Sequence, residues 1–180
     1  MNSTSQQILS TPRLLLRQPA LDDENEIYTL RNDEKVNEYL ARPKTTTREE
    51  VINFIKKIIK GIENKDSFYW VITSKNDGKL VGTICYWNIS KDRSTAEIGY
   101  ELIPGFQGKG IMQEVFPAVL QYGFEILGFT TIEAYTHPNN DRSSKLLEKF
   151  LFKRKLGEEG MTENNEIVYV LAKQISEQQS

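Results

Sequence analysis

The sequence predicts an α/β fold with a single mixed, mostly antiparallel sheet of about six to seven strands and helices on both faces. Three observations predict it. Strand-period and helix-period segments are interleaved along 180 residues, with no internal repeat, low-complexity tract or linker between them. Three strand candidates stand side by side in the middle of the chain, joined by short turns, as in an antiparallel meander. An apolar fraction of 38% beside 27% charged residues suits a chain that buries one core. Residues 1–180 are therefore expected to form one domain, with a frayed tail over about 174–180.

The elements follow in order. RLLLRQ at 13–18 is a short first strand after a Thr-Pro that resists helix. DDENEIYTLRN turns helical, with Asp22 or Asp23 as its cap and Ile27 and Leu30 beginning an apolar stripe. TTTREEVINFIKKIIKGIENK is a second amphipathic helix with a threonine cap and Glu49 and Glu50 in its first turn. SFYWVITS and KLVGTICYWNIS, separated by Asn76-Asp77-Gly78, form a hairpin, and STAEIGYELI at 94–103 adds a third strand. After a glycine-rich turn, IMQEVFPAVLQYGFEILG is a largely buried helix, bent locally at Pro117 because proline has no N–H for the carbonyl of Gln113. TTIEAYT is a strand, NNDRSSKLLEKFLF a capped helix, and two strands near 152–157 and 165–172 close the fold.

Composition excludes several classes. A formal charge of −2 supplies no field to recruit nucleic acid, so a phosphate ligand must be held locally. Cys85 is the single cysteine, so no intrachain disulfide forms and a reducing, cytoplasmic setting fits. No stretch approaches the roughly 18 apolar residues of a membrane span.

The informative segment is the turn after strand 94–103. In Pro104-Gly105-Phe106-Gln107-Gly108-Lys109-Gly110, two glycines let the backbone curl, and the helix beginning near Ile111 offers unpaired N–H donors and a positive dipole end. Such a turn either binds a phosphate or merely ends a strand. A Walker loop is excluded because Lys109 is followed by Gly110 and Ile111, and a dinucleotide fingerprint lacks its third glycine at Gln113. A nicotinamide enzyme with Glu133 as the ribose acid is disfavoured further, because the turn follows a meander instead of opening a βαβ unit.

QGKGIM at 107–112 resembles the pyrophosphate loop of the GNAT acetyltransferase superfamily, Q/R-x-x-G-x-G/A, with Gln107 and Gly110 at the first two positions. Met112 departs from the third, as in the RimJ/RimL-like branch. TPRLLLRQPALDDENEIYTLRND, AEIGYELIPGFQGKG and NNDRSSKLLEKFLF are similar to that branch's opening, central and N-x-x-S segments. Leu151 stands where the branch has a glycine before Phe152, and it is read as a packing variation.

The resemblance implies a GNAT fold whose central strand splays from its neighbour at a bulge, with acetyl-coenzyme A as acyl donor and no metal. It implies that Glu101, Leu102 and Ile103 pair with the pantetheine arm through their backbones, while Phe106, Gln107, Gly108, Lys109, Gly110, Ile111 and Met112 wrap the diphosphate. Asn140 would touch the arm and Ser143 the sulfur, although both also suit a helix cap. Glu97 matches a carboxylate that takes a proton from the amine; a structural ion pair is its alternative. Cys85 is read as core and His137 as a turn residue.

Acceptor contacts are expected from Asn32 to Leu40 and from the loop after strand 130–136. An N-terminal α-amine of a protein, such as a ribosomal protein, is the favoured acceptor, since its pKa near 8 demands less of a base than lysine's, near 10.4. A polyamine, aminoglycoside or amino acid remains open, as does a non-catalytic acyl-coenzyme A sensor. Neither nucleic acid nor membrane is expected as a partner, and the chain is expected to be a monomer or homodimer.

Overall fold

A computed structural model describes residues 7–40, 42–43 and 47–174, so the expected frayed tail, apart from residue 174, lies outside the described residues. The sheet has eight strands: β1 (Leu9–Ser10), β2 (Leu14–Arg17), β3 (Phe68–Ser74), β4 (Leu80–Trp87), β5 (Thr95–Leu102), β6 (Thr131–Thr136), β7 (Lys153–Arg154) and β8 (Ile167–Ala172). Their spatial order is β1-β2-β3-β4-β5-β6-β8-β7. The strand beyond the expected count is β1, a two-residue edge whose Leu9 faces Leu16. Every pairing is antiparallel except β5 with β6, which are parallel and joined through a helix. The glycine turn thus does open a parallel crossover, contrary to its expected setting.

Helices α1 (Glu24–Asn32), α2 (Glu34–Asn37) and α3 (Arg48–Glu63) come first, α4 (Ile111–Gln121) follows β5, and α5 (Asp141–Lys149) follows β6. The two faces of the sheet carry different layers. Ile27 of α1 and Val51, Ile55 and Ile62 of α3 cluster with Tyr69, Val71 and Leu80. On the opposite face Val115, Phe116 and Val119 of α4 and Leu147 of α5 cluster with Trp70, Ile84, Ile98 and Ile132. Strand alternation sends neighbouring residues to these two cores, which explains the apolar runs of the central strands.

The caps differ in how they work. Thr47 Oγ1 accepts from Glu50 N–H, and the Glu50 carboxylate accepts from Thr47 N–H, a reciprocal box at the start of α3. Asp23 does not cap α1 with its side chain. Its carboxylate instead accepts from Ala20 N–H and from both terminal nitrogens of Arg17, because a bidentate guanidinium is a stronger partner than one helix N–H. The short α2 was not anticipated; Asp33 caps it by accepting from the N–H groups of Lys35 and Val36.

The long helix after the glycine turn is also shorter than its sequence pattern. α4 ends at Gln121 and gives way to a π-helical turn over Tyr122–Ile126. The cause is a tertiary contact: Tyr86 Oη donates to the Val119 carbonyl at 2.9 Å, competing with the helical ladder. Gly123 makes the space, since a Cβ there would lie 2.6 Å from that hydroxyl. No helix among the described residues is long and apolar enough to cross a membrane.

Candidate active site

β5 and β6 pair only at Thr95–Thr131, Ala96–Ile132 and Glu97–Glu133. Beyond that point each strand continues with its other neighbour, β5 with β4 as far as Leu102–Gly82 and β6 with β8 as far as Thr136–Ile167. The two strands therefore part, leaving a gap in the hydrogen bonding at the centre of the sheet. No bulge produces it, because the β4–β5 register runs unbroken; the register shift in this sheet falls between β3 and β4 at Ile72/Thr73.

The register decides which main-chain groups face the gap. Ile103 N–H donates to Val81 O at 3.0 Å, and alternation turns the main chain of Glu101 toward β4 as well. Of the three residues expected to face the coenzyme arm, Leu102 alone presents its main chain to the gap, together with Tyr100, which the sequence reading passed over. The Glu101 side chain lies on the other layer, where Arg42 grips it bidentately at 2.6 and 2.8 Å. Arg42 also donates to Asn37 Oδ1, so this ion pair ties the segment after α2 to β5.

At the foot of β5, Pro104–Phe106 form a single 3₁₀ turn, and Gly108 and Gly110 take φ values of 74° and 73°. These left-handed conformations are why glycine is needed; a Cβ at Gly108 would meet nothing within 4 Å. Among the described residues, the N–H groups of Gly108, Lys109 and Gly110 donate to no other group, and no side chain caps α4. Ile111 and Met112 bury their side chains, leaving only their first-turn N–H groups to this surface. Phe106 carries Lys109 Nζ 5.2 Å from its ring centroid.

Gln107 is held on both sides: its Nε2 donates to Leu102 O at 3.2 Å and its Oε1 accepts from Arg142 Nη1 at 2.7 Å. Arg13 braces the loop from below, donating to Lys109 O and pairing with Glu114 of the first turn of α4. Arg13 and Arg142 lie about 100 and 35 residues from the loop elements they touch, so no local motif announced them.

Across the gap, Asn140 Oδ1 accepts from Ser143 N–H at 3.2 Å, which makes Asn140 the cap of α5. The Ser143 hydroxyl meets Tyr100 Oη at 2.7 Å. Glu97 lies at the apex where the strands part. Its Oε2 accepts from Asn88 Nδ2 at 2.8 Å, and no salt bridge involves it among the described residues. Burial pushes its carboxyl up to about 7; Glu166 and Glu133 push the same way, and hydrogen bonds from Asn88 and Trp87 oppose them. Glu133 itself accepts from Lys155 and Tyr135, so it is a paired structural carboxylate.

His137 stacks on Tyr39 at 5.5 Å between ring centroids and accepts from Asn139 N–H through Nδ1. That contact brings together the two segments expected to meet an acceptor, residues 32–40 and the turn after β6. Burial pushes the Cys85 thiol up to about 12, which disfavours the thiolate that an acyl carrier would need.

A coenzyme with a diphosphate and two amides fits these groups. Unspent N–H donors at a glycine turn and helix start suit the diphosphate. The Thr136 hydroxyl, in a residue only 4% exposed at the end of β6, is closed to solvent and has no hydrogen-bond partner among the described residues.

A family model described as an acetyltransferase (GNAT) domain matches residues 13–153. The chain is 32% identical over 147 residues to the uncharacterized N-acetyltransferase YoaA of Bacillus subtilis (strain 168), covering 82% of this chain and 83% of the relative. Solved structures that share its fold include two ribosomal-protein acetyltransferases. One is RimL, a ribosomal L7/L12 α-N-protein acetyltransferase in complex with coenzyme A, with TM-score 0.81, 18% identity, and 92% of this chain and 98% of that one covered. The other is a ribosomal-protein-S5-alanine acetyltransferase from Vibrio fischeri, with TM-score 0.78, 22% identity, and 92% and 96% covered.

Proposed function

The chain belongs to the GNAT family of N-acetyltransferases, which use acetyl-coenzyme A, and from that premise we propose that it acetylates the N-terminal α-amine of a protein by direct attack. The parting of β5 from β6 beyond Glu97 and Glu133 carries this reading, because it leaves sheet hydrogen-bonding groups facing an open gap beside an anion-binding loop. The whole chain is read as one catalytic domain.

Acetyl-coenzyme A supplies an already activated thioester, so the protein's work is positioning and charge stabilisation. The N–H groups of Gly108 to Met112 hold the diphosphate, and Gln107, pinned by Leu102 and Arg142, keeps the loop open. Tyr100 and Leu102 pair with the arm through their main chains. Glu97, poised near 7, accepts the proton released by the attacking amine. Ser143 donates a hydrogen bond to the sulfur as it leaves with the electron pair of the broken C–S bond.

The choice of an α-amine rests on proton affinity. A carboxylate near 7 is well matched to an amine near 8, whereas it would have to deprotonate lysine against a gap of more than three units. The RimL and S5-alanine acetyltransferase neighbours support the same reading. The test is thiol release from acetyl-coenzyme A with peptides starting in Ser or Ala, against the same peptides blocked at the N-terminus but carrying an internal lysine. Release with the free peptides alone is expected. Turnover only with polyamines, aminoglycosides or free amino acids would redirect the acceptor, and coenzyme binding without turnover on any amine would make the chain a sensor.

A further inference from the structure

The Tyr100–Ser143 contact joins the two walls of the gap, and the roles given so far leave the Tyr100 hydroxyl unused. Tyr100 sits on β5 with its ring edge-on to Phe116, 5.0 Å between centroids, and its hydroxyl meets Ser143 Oγ at 2.7 Å. Ser143 is held at its other end, its N–H committed to Asn140. Either hydroxyl could donate. A phenol is the more acidic of the two and therefore the better donor, and burial pushes Tyr100 up to about 12, so it retains its proton throughout the neutral range.

When Tyr100 donates, a lone pair of Ser143 is occupied and the serine proton is free to turn toward the gap. Without that bond, a serine in the first turn of a helix has a competing choice: it can donate to the main-chain carbonyl of the cap residue three positions back, here Asn140. One hydroxyl thus selects the direction of the other.

We infer that Tyr100 is a positioning residue for the acyl transfer: it donates to Ser143 Oγ and so aims the Ser143 proton at the sulfur of the departing thiolate. The electron pair of the C–S bond stays on sulfur, the proton of the amine goes to Glu97, and neither hydroxyl needs to give up its own proton. This inference rests on the acetyltransferase reading and on Ser143 facing the sulfur.

The experiment is a double-mutant cycle on the full chain with Y100F, S143A and Y100F/S143A, measuring kcat and KM for acetyl-coenzyme A and the thermal midpoint of each. Loss of one transition-state hydrogen bond predicts about a tenfold fall in kcat for Y100F, KM for acetyl-coenzyme A within about twofold of wild type, and a double variant no slower than S143A. S143T, which keeps a hydroxyl, should exceed S143A by about fivefold only when Tyr100 is present; this arm stands even if Y100F folds poorly, because it is read within each background. Wild-type kcat in Y100F, falls that multiply in the double variant, or an inert S143A would overturn the inference. None of these outcomes touches the acetyltransferase reading, which wild-type turnover alone decides.

Discussion

Glu97 stands where the two central strands separate, and its carboxyl titrates near 7 because burial removes more solvation than Asn88 and Trp87 restore. As a base it works only when ionised. With acetyl-coenzyme A limiting and the amine saturating, the rate should therefore rise with pH through a midpoint near 7, and E97Q should lower it about 100-fold and remove that limb, leaving only the acceptor amine's own titration near 8. The stability consequence has a definite sign. The folded-state value exceeds the unfolded one, so the folded protein holds this proton more tightly and loses stability as pH climbs from about 4.5 to about 7. In urea melts at pH 5 and pH 8, E97Q should gain on wild type at the higher pH; an equal difference at both would contradict it. Thr136 gives a second test at this scale. Its buried hydroxyl lacks a partner among the described residues, so T136V should raise the thermal stability of the protein by about 1 kcal/mol, read as an upward shift of the melting midpoint.

Among the elements, α5 shows how a sequence departure acquires a physical meaning. Its end closes with Leu151 N–H bonded to Glu148 O and Phe152 N–H to Leu147 O, both at 3.0 Å. This pair of bonds is a Schellman motif, which places the residue after the cap in the left-handed region, and Leu151 has φ 65° there. The expectation of a packing variation is thus corrected: the side chain is 65% exposed and packs little, and the departure lies in the backbone. The buried partners Leu147 and Phe152 hold the motif closed despite a residue that disfavours it. L151G should stabilise the protein by about 1 kcal/mol, raising the thermal midpoint by roughly 2–4 °C. A lower midpoint would show that Leu151 makes contacts that outweigh its strain.

At the scale of the whole molecule, the sheet is two antiparallel blocks, β1 to β5 and β6 with β8 and β7, joined by three parallel residue pairs. Each block is complete in its own hydrogen bonds, so the seam between them can open without disrupting either. The free protein should therefore show a sharp contrast in amide hydrogen exchange. Tyr100 and Leu102, facing the gap, should exchange much faster than Ile103, whose N–H is bonded to Val81 O. Saturating coenzyme A should protect Tyr100 and Leu102 selectively and, at about 100 times Kd, add about 2.7 kcal/mol of stability. Uniform protection along β5 before coenzyme is added would mean that the seam is closed.

Local chemistry sufficed for much of this. The capping box at Thr47 and Glu50, the Asn76-Asp77-Gly78 turn, the two glycines before α4 and the Asn140 cap all act within a few residues of themselves, so their signals survive in a linear chain. Glu97 and Ser143 were found through resemblance, and the register of β5 then gave them neighbours. What the chain could not announce were contacts between distant residues: Tyr100 with Ser143, Arg142 with Gln107, Arg42 with Glu101, and Tyr86 with the helix it shortens. The same holds for the gap itself. Residue identity determines which segments become strands, but whether two strands zip or part depends on the partners each finds on its other edge, and tertiary packing alone decides that.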